Sequence, residues 1–353
     1  MRQLLIGLYL VAIATTAFAQ TPAAAAASQA HASLAAGFRA WHGPMSESKK
    51  PLAGGIWYPA AGAGPAMPQF DSPIFQGVPV QPDAAIRPGR WPLVLLSHGV
   101  GGHWRSLAWL GAGLAQQGAI VVGVNHPGST FGDYEMRRSL NHGSRVSDLK
   151  TTLDALLADA AMGPHIDSQR IYVAGFSLGG WTSLSIGGLR GDLHAYADYC
   201  ARSGHRHCRD IARAGIDLTK LDARVWSRSY RDPRVKAVAA VDPALHQGLN
   251  AANASDMVDQ VLLIGLGQGA DRLPDTDFSA PGATLTGILP KARIEIMAPA
   301  FHFSALPVCK PAGAKLLAED NDDPVCSDPP GTDRPVLHDR ITRSIARHFG
   351  LVP

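Results

Sequence analysis

Cysteine is scarce in this chain: four residues in 353, the first of them Cys200. A lipid anchor on an N-terminal Cys is therefore not expected, and so few thiols cannot replace a hydrophobic core with a dense disulfide framework. An excess of charge of one sign is also missing. The 32 Lys and Arg stand against 29 Asp and Glu, for a net charge of +3, and the basic residues are scattered. No nucleic-acid surface is expected from such a balance. The segment from Arg202 to Arg213 makes a local basic patch at most. There is no internal repeat to suggest a solenoid or propeller.

What is present begins with 46% hydrophobic residues, enough to bury a full core in one large domain. The N terminus is separate. Arg2 precedes the apolar stretch LLIGLYLVAIATTA, which is short for a bilayer, and Ala17-Phe18-Ala19 places small residues where a signal peptidase cuts. We read residues 1–19 as a signal peptide that directs export without a membrane anchor, to the periplasm or beyond. Residues 20–37, with TPAAAAASQAHASLAA, read as a low-complexity leader, and the domain as residues 38–353.

Within that domain, apolar runs alternate with amphipathic stretches. WPLVLLSHG, AIVVGVNHPG, RIYVAG, KAVAAVDPAL, QVLLIGLG and ARIEIMAPA read as strands buried on both faces. LAWLGAGLAQQG, SDLKTTLDALLADA, LGGWTSLSIGGL and HDRITRSIARHFG read as the helices between and after them. This repetition predicts an α/β fold with a mostly parallel, doubly wound sheet. An insertion at about residues 190–234, rich in Tyr, Trp and Arg, is too long for an ordinary connection and reads as a helical cap or a surface decoration.

In an exported chain the four Cys favour disulfides, and short closures are simplest: Cys200 with Cys208, Cys309 with Cys326. His205 and His207 between the first two raise a zinc reading, but the spacing matches no structural finger. Glu319 and DNDDP at 320–324 raise a calcium reading, but the spacing is not that of a twelve-residue loop site. No metal or cofactor is expected.

The chemistry centres on GFSLGG, where Gly175, Ser177 and Gly179 fit G-x-S-x-G. The five-residue pattern alone is weak. Its position after a buried strand and before an apolar helix is what makes it specific, because a Ser on that sharp turn projects its hydroxyl from the sheet edge. A serine hydroxyl needs a base, and the base needs an acid to orient it. His302, after the last strand in AFHFSALPVC, is the expected base; His246 is a weaker rival, and His338 and His348 are expected to face solvent. Asp242, ending KAVAAVDPAL, is the favoured acid. Asp271 is the alternative, with Asp275 and Asp277 behind it. The developing oxyanion needs N–H donors, expected from Leu178 and, in the glycine-rich turn SHGVGGHWRS, from Val100. His98 is expected to hold that turn by hydrogen bonds. His103, Trp104, His126 and Trp181 are candidate substrate contacts.

PLVLLSHGVGG, GFSLGGWTS, DPRVKAVAAVDPAL and AFHFSALPVC together resemble bacterial dienelactone-hydrolase-like proteins related to platelet-activating-factor acetylhydrolases, over about residues 50–350. The resemblance implies an α/β-hydrolase fold with a Ser, Asp, His triad, and an acid after the sixth strand, which supports Asp242. Ser177 departs from the Cys nucleophile of dienelactone hydrolases proper, so their lactone substrate is not carried over. The expected function is an exported serine hydrolase of carboxylic esters acting on a small ester or lipid-like molecule. The rivals are a lipase or polyester hydrolase, and a non-catalytic binding protein on the same fold.

Overall fold

The computed structural model describes residues 34–62, 64–279 and 285–351. The predicted signal peptide, residues 1–19, and the leader as far as residue 33 lie outside the described residues. Twelve strands are found among those described: β1 (Ala36–Met45), β2 (Pro51–Pro59), β3 (Met67–Gln69), β4 (Val78–Pro82), β5 (Trp91–Ser97), β6 (Ile120–Val124), β7 (Ser129–Thr130), β8 (Asp133–Tyr134), β9 (Ile166–Phe176), β10 (Val235–Val241), β11 (Gln260–Leu266) and β12 (Arg293–Met297). Ten form one sheet in the order β12-β11-β10-β9-β5-β6-β2-β1-β4-β3, and β7 and β8 pair as a separate small hairpin.

The six apolar runs of the sequence are β5, β6 and β9 to β12, all parallel to their neighbours within that group. Their lack of alternation has a simple cause: both faces are covered. Along β5, Leu93 and Leu95 enter the core shared with the helices His142–Ala158 and Leu178–Ile186. Val94 and Leu96 enter the opposite core, shared with Ala108–Gln116 and Arg334–His348. Each such side chain contributes about 1.5–3 kcal/mol by leaving water.

The antiparallel part of the sheet was not foreseen. β1 pairs with β2, and β2 with β6, both antiparallel. β2 carries the adjacent glycines Gly54 and Gly55. The glycine at 54 is there for space, since a Cβ would sit 2.2 Å from the carbonyl oxygen of Gly123 on β6. The first residue of β1, Ala36, is buried and lies inside the stretch read as leader.

The insertion forms the helices Leu193–Ser203, Arg206–Arg213 and Ala223–Ser227. Asp192 and Asp222 cap two of them by accepting backbone N–H bonds. Disulfides join Cys200 to Cys208 and Cys309 to Cys326. No helix among the described residues is long and apolar enough to cross a membrane.

The tightest backbone approach lies behind the G-x-S-x-G turn. A Cβ on Gly179 would lie 1.8 Å from the carbonyl oxygen of Ser97, and one on Gly175 would lie 2.2 Å from that of Gly179. Backbone cannot yield as a side chain can. Gly179→Ala is expected to cost at least about 2–3 kcal/mol in urea unfolding. Gly287→Ala, where a Cβ meets nothing within 4 Å, is expected to stay within about 1 kcal/mol of the parent.

Candidate active site

β9 ends at Phe176 and a helix begins at Leu178, so the turn consists of Ser177 alone. Its φ of 57° and ψ of −121° lie outside the regions that L-residues favour. The turn is held by its neighbours: the Ser177 N–H donates to Val241 O at 2.9 Å, and Ser177 O accepts from the N–H of Ala244 at 3.2 Å. The end of β10 thus grips the strained residue directly.

His302 follows β12 in a short 3-10 turn, His302–Ala305. Its Nε2 lies 3.1 Å from Ser177 Oγ, and its Nδ1 lies 2.8 Å from Asp242 Oδ2. The imidazole also rests against the Phe176 ring at 4.5 Å between centroids. Asp242 has no exposed surface. Its Oδ1 accepts from the Leu266 N–H and from Arg272 Nη1, each at 2.9 Å, and its Oδ2 accepts from the Thr276 hydroxyl at 3.1 Å. The donors around this buried carboxyl group come from a backbone N–H, a guanidinium and a hydroxyl, so its orientation is fixed without water.

Asp271, the alternative acid, is exposed in a turn after β11. The loop instead delivers Arg272 to Asp242, and Arg272 reaches Asp277 at 3.2 Å as well. Neither Arg272 nor Thr276 was singled out in sequence. Their only signal was a position one strand beyond the acid.

The turn after β5 lies against Ser177, where a Cβ at Gly99 would be only 3.3 Å from that of Ser177. Val100 and Leu178 both line a cavity of about 350 Å³ that opens on Ser177 and His302. Leu178 is the first residue of its helix, so its N–H is one of those the helix leaves unspent. The cavity walls are mostly apolar, including Met136, Leu140, Leu245, Phe301 and Phe303. Met136 and Leu140 belong to a segment that sequence reasoning passed over. Tyr196, Arg206, His207 and Asp210 of the insertion close one side. Arg206 pairs with Asp323 at 2.5 Å, linking the loop of the first disulfide to that of the second. That pairing also accounts for one carboxylate of DNDDP. No group of three His, Cys, Asp or Glu that could hold a metal ion occurs among the described residues.

The four candidate substrate contacts lie elsewhere. His103 accepts from the Arg105 N–H and pairs with Asn125, closing its own turn. Trp104 packs among Phe38, Trp57 and Phe70. His126 has no exposed surface and bonds Ser97 and Asp148. Trp181 is fully buried against His142, on the inner face of the helix that Ser177 opens. Burial pushes the imidazoles of His98 and His126 well below their usual range, so both are neutral. It raises Asp148 to about 8, against the pull of Arg145.

His338 and His348 depart from expectation too. His338 is buried, stacked on Trp109, with Nε2 on Ser304 O at 2.9 Å; His348 is half-buried, with Nε2 on Val238 O at 3.1 Å. The terminal helix packs both against the domain. His246 is buried, its ring 3.4 Å from the Gln247 amide, and burial lowers its pKa to about 4.

Residues 104–199 match the prolyl oligopeptidase family, a stretch that contains Ser177 but neither Asp242 nor His302. A solved ferulic acid esterase from Streptomyces cinnamoneus superposes with a TM-score of 0.56 over 92% of this chain and 91% of its own, at 19% identity. The fold is that of an α/β-hydrolase. Two Thermobifida alba cutinases are similar in sequence. Cutinase est2 is 28% identical over 171 residues, 45% of this chain and 54% of that protein. Cutinase est1 is 32% identical over 162 residues, 45% and 52% respectively. The chain thus spans about half the length of the cutinases it matches.

Behind the helix that Ser177 opens, His142 is ringed by Trp181, Trp226 and Tyr230, with neither ring nitrogen hydrogen-bonded among the described residues. Burial pushes its pKa down to about 3. The unfolded chain, near the ordinary value of about 6.5, takes up the proton first, so stability contributed by this site is lost as pH falls below 6.5. Between pH 7.5 and 4.5 the parent is expected to lose about 2–3 kcal/mol more than His142→Phe, measured by urea titration at each pH.

Proposed function

We propose that the protein is a serine hydrolase of carboxylic esters, working through an acyl-enzyme on Ser177. The observation that carries this reading is the line Asp242, His302, Ser177, with links of 2.8 and 3.1 Å, ending in an apolar cavity. In this reading His302 Nε2 takes the Ser177 proton as Oγ bonds to the ester carbon. Asp242 holds the imidazole by Nδ1 and stabilises the imidazolium. The carbonyl oxygen, now an anion, sits between the N–H groups of Val100 and Leu178, and an oxyanion donor is worth about 3–4 kcal/mol of barrier. On collapse the alkoxide leaves with the proton from His302. Water then repeats the sequence and releases the acid. All these groups belong to the chain itself.

The cavity volume of about 350 Å³ is at the small end of the range for ligand sites, which suits a short or medium acyl group. The names of the similar proteins, cutinases and an esterase, point to esters rather than peptides despite the prolyl oligopeptidase match. We also propose that the protein is exported and is related to the dienelactone-hydrolase-like and acetylhydrolase proteins. For export, two disulfides fit an oxidising compartment and residues 1–19 have signal-peptide character.

A lipase or polyester hydrolase is the second reading, favoured by the apolar rim. Phe131, Tyr134 and Val100 are 75%, 44% and 39% exposed, and the latter two line the cavity. A panel of p-nitrophenyl esters decides: a peak in kcat/KM at acetyl to butyryl supports the first reading, and a peak at long chains the second.

Ser177→Ala is expected to lower turnover of p-nitrophenyl butyrate by at least about 10⁴-fold with little change in Tm, and to abolish labelling by a fluorophosphonate. Asp242→Asn should fall by a similar factor, while Asp271→Asn stays within about twofold. Retained activity in Ser177→Ala would sink the assignment, and absence of labelling in the parent would favour a binding protein.

A further inference from the structure

A second Ser, His, Asp line starts from the last residue of β5. Ser97 Oγ lies 3.0 Å from His126 Nε2, and His126 Nδ1 lies 3.0 Å from Asp148 Oδ2. Ser97 and His126 have no exposed surface and Asp148 almost none. No carbonyl carbon can reach this hydroxyl, so the line does no chemistry of its own. It ends instead on a buried guanidinium, that of Arg145.

Arg145 joins three pieces of chain. Its Nη2 donates to the carbonyl oxygen of His98 and, at 3.2 Å, to Ser97 Oγ, both at the end of β5. Its Nη1 donates to Ser129 Oγ at 2.7 Å, in the hairpin of β7 and β8. Its Nε donates to Thr182 Oγ1 at 3.1 Å, and that hydroxyl donates to Leu178 O at 2.9 Å in the helix following Ser177. Since a guanidinium has no acceptor, Ser97 must receive its bond and keep its own proton for His126. The hairpin is fastened to the same turn by Gly101 N–H to Ser129 O at 3.1 Å and Phe131 N–H to Gly102 O at 2.8 Å.

These contacts bear on the two N–H groups assigned to the oxyanion. The peptide after His98 is pinned through its oxygen by Arg145. In the next peptide, Gly99 O accepts from His98 Nδ1–H at 2.7 Å, and the Val100 N–H of that planar trans unit is turned the opposite way. Leu178 is tied in through Thr182. A packed apolar side chain would stabilise the core as well as a buried cation does or better, so a charged fork needs another reason.

We infer that Arg145 is a positioning residue that sets the spacing of the Val100 and Leu178 donors, and so governs transition-state binding rather than substrate binding. The inference rests on the ester-hydrolase reading above.

The test uses the full chain and p-nitrophenyl butyrate, with Arg145→Lys, which keeps the charge but not the planar fork, and Arg145→Met. Inhibition by an alkyl trifluoromethyl ketone, whose adduct with Ser177 carries an oxyanion, is measured beside kcat and KM. The expected result is a fall in kcat of about 10- to 100-fold, KM within about threefold, and a ketone Ki weakened in parallel with kcat. Folded Arg145 variants with kcat and Ki unchanged would overturn the inference, as would a fall in kcat with no change in Ki. Should both variants fail to fold, the double variant Ser129→Ala with Thr182→Val removes two of the guanidinium's partners while leaving its charge, and is read by the same criteria. Ser177-dependent turnover and fluorophosphonate labelling of the parent separate the two levels. Their absence removes the hydrolase reading itself, whereas their presence with insensitive Arg145 variants removes only the role of Arg145.

Discussion

The constraint on which the site depends is the close approach of the helix after Ser177 to the end of β5. Ser177 sits at a φ of 57°, a conformation that costs a side-chain-bearing residue on the order of 1–3 kcal/mol and persists only where the surroundings over-determine it. Here the carbonyl of Ser97 lies where a Cβ of residue 179 would stand, and the carbonyl of Val241 takes the Ser177 N–H. Two strands and a helix meet within van der Waals contact around one residue. The hydroxyl is forced outward because the backbone has nowhere else to go.

Charge is arranged in depth behind that hydroxyl. Asp242 is buried with Arg272, and the carboxylate is supplied with a backbone N–H and a hydroxyl besides. Such pairs add little to net stability compared with apolar packing, but removing one partner leaves the other uncompensated. The arrangement therefore holds the acid in a single geometry more than it strengthens the fold. On the far side of Ser177 the polar groups under the turn after β5 are also buried and bonded, with His98 and His126 kept neutral by the lack of water. Ser177 lies between two buried polar groups of residues, one touching it through His302 and the other lying behind the backbone turn after β5.

Much of this was legible in the residues, and what was not has identifiable causes. The parallel strands were readable because burial on both faces leaves unbroken apolar runs. The glycines of GFSLGG were readable because few residues tolerate the approach they permit. β1 to β4 were not, since Gly54 and Gly55 look like punctuation until β6 is laid beside them. His126 and Trp181 were placed by sequence near the right strand ends but on the wrong layer, for one residue of register decides whether a side chain meets the cavity or the core. His338 shows the same limit at helical period. Arg272 and Arg145 were invisible for a different reason: a buried Arg looks like any surface Arg until distant partners, Asp242 for the one and Ser97 and Thr182 for the other, are folded onto it.

The pairing of Arg206 with Asp323 has a bearing on how a substrate would enter. Both side chains remain about half exposed, 58% and 45%, so their attraction is weak, roughly 0–1 kcal/mol, and declines as ions crowd the surface. Each belongs to a loop cross-linked within itself, one through Cys200 and Cys208, the other through Cys309 and Cys326. The stretch of cavity wall they share is thus two separately cross-linked segments meeting in a contact that weakens as the salinity of the medium rises.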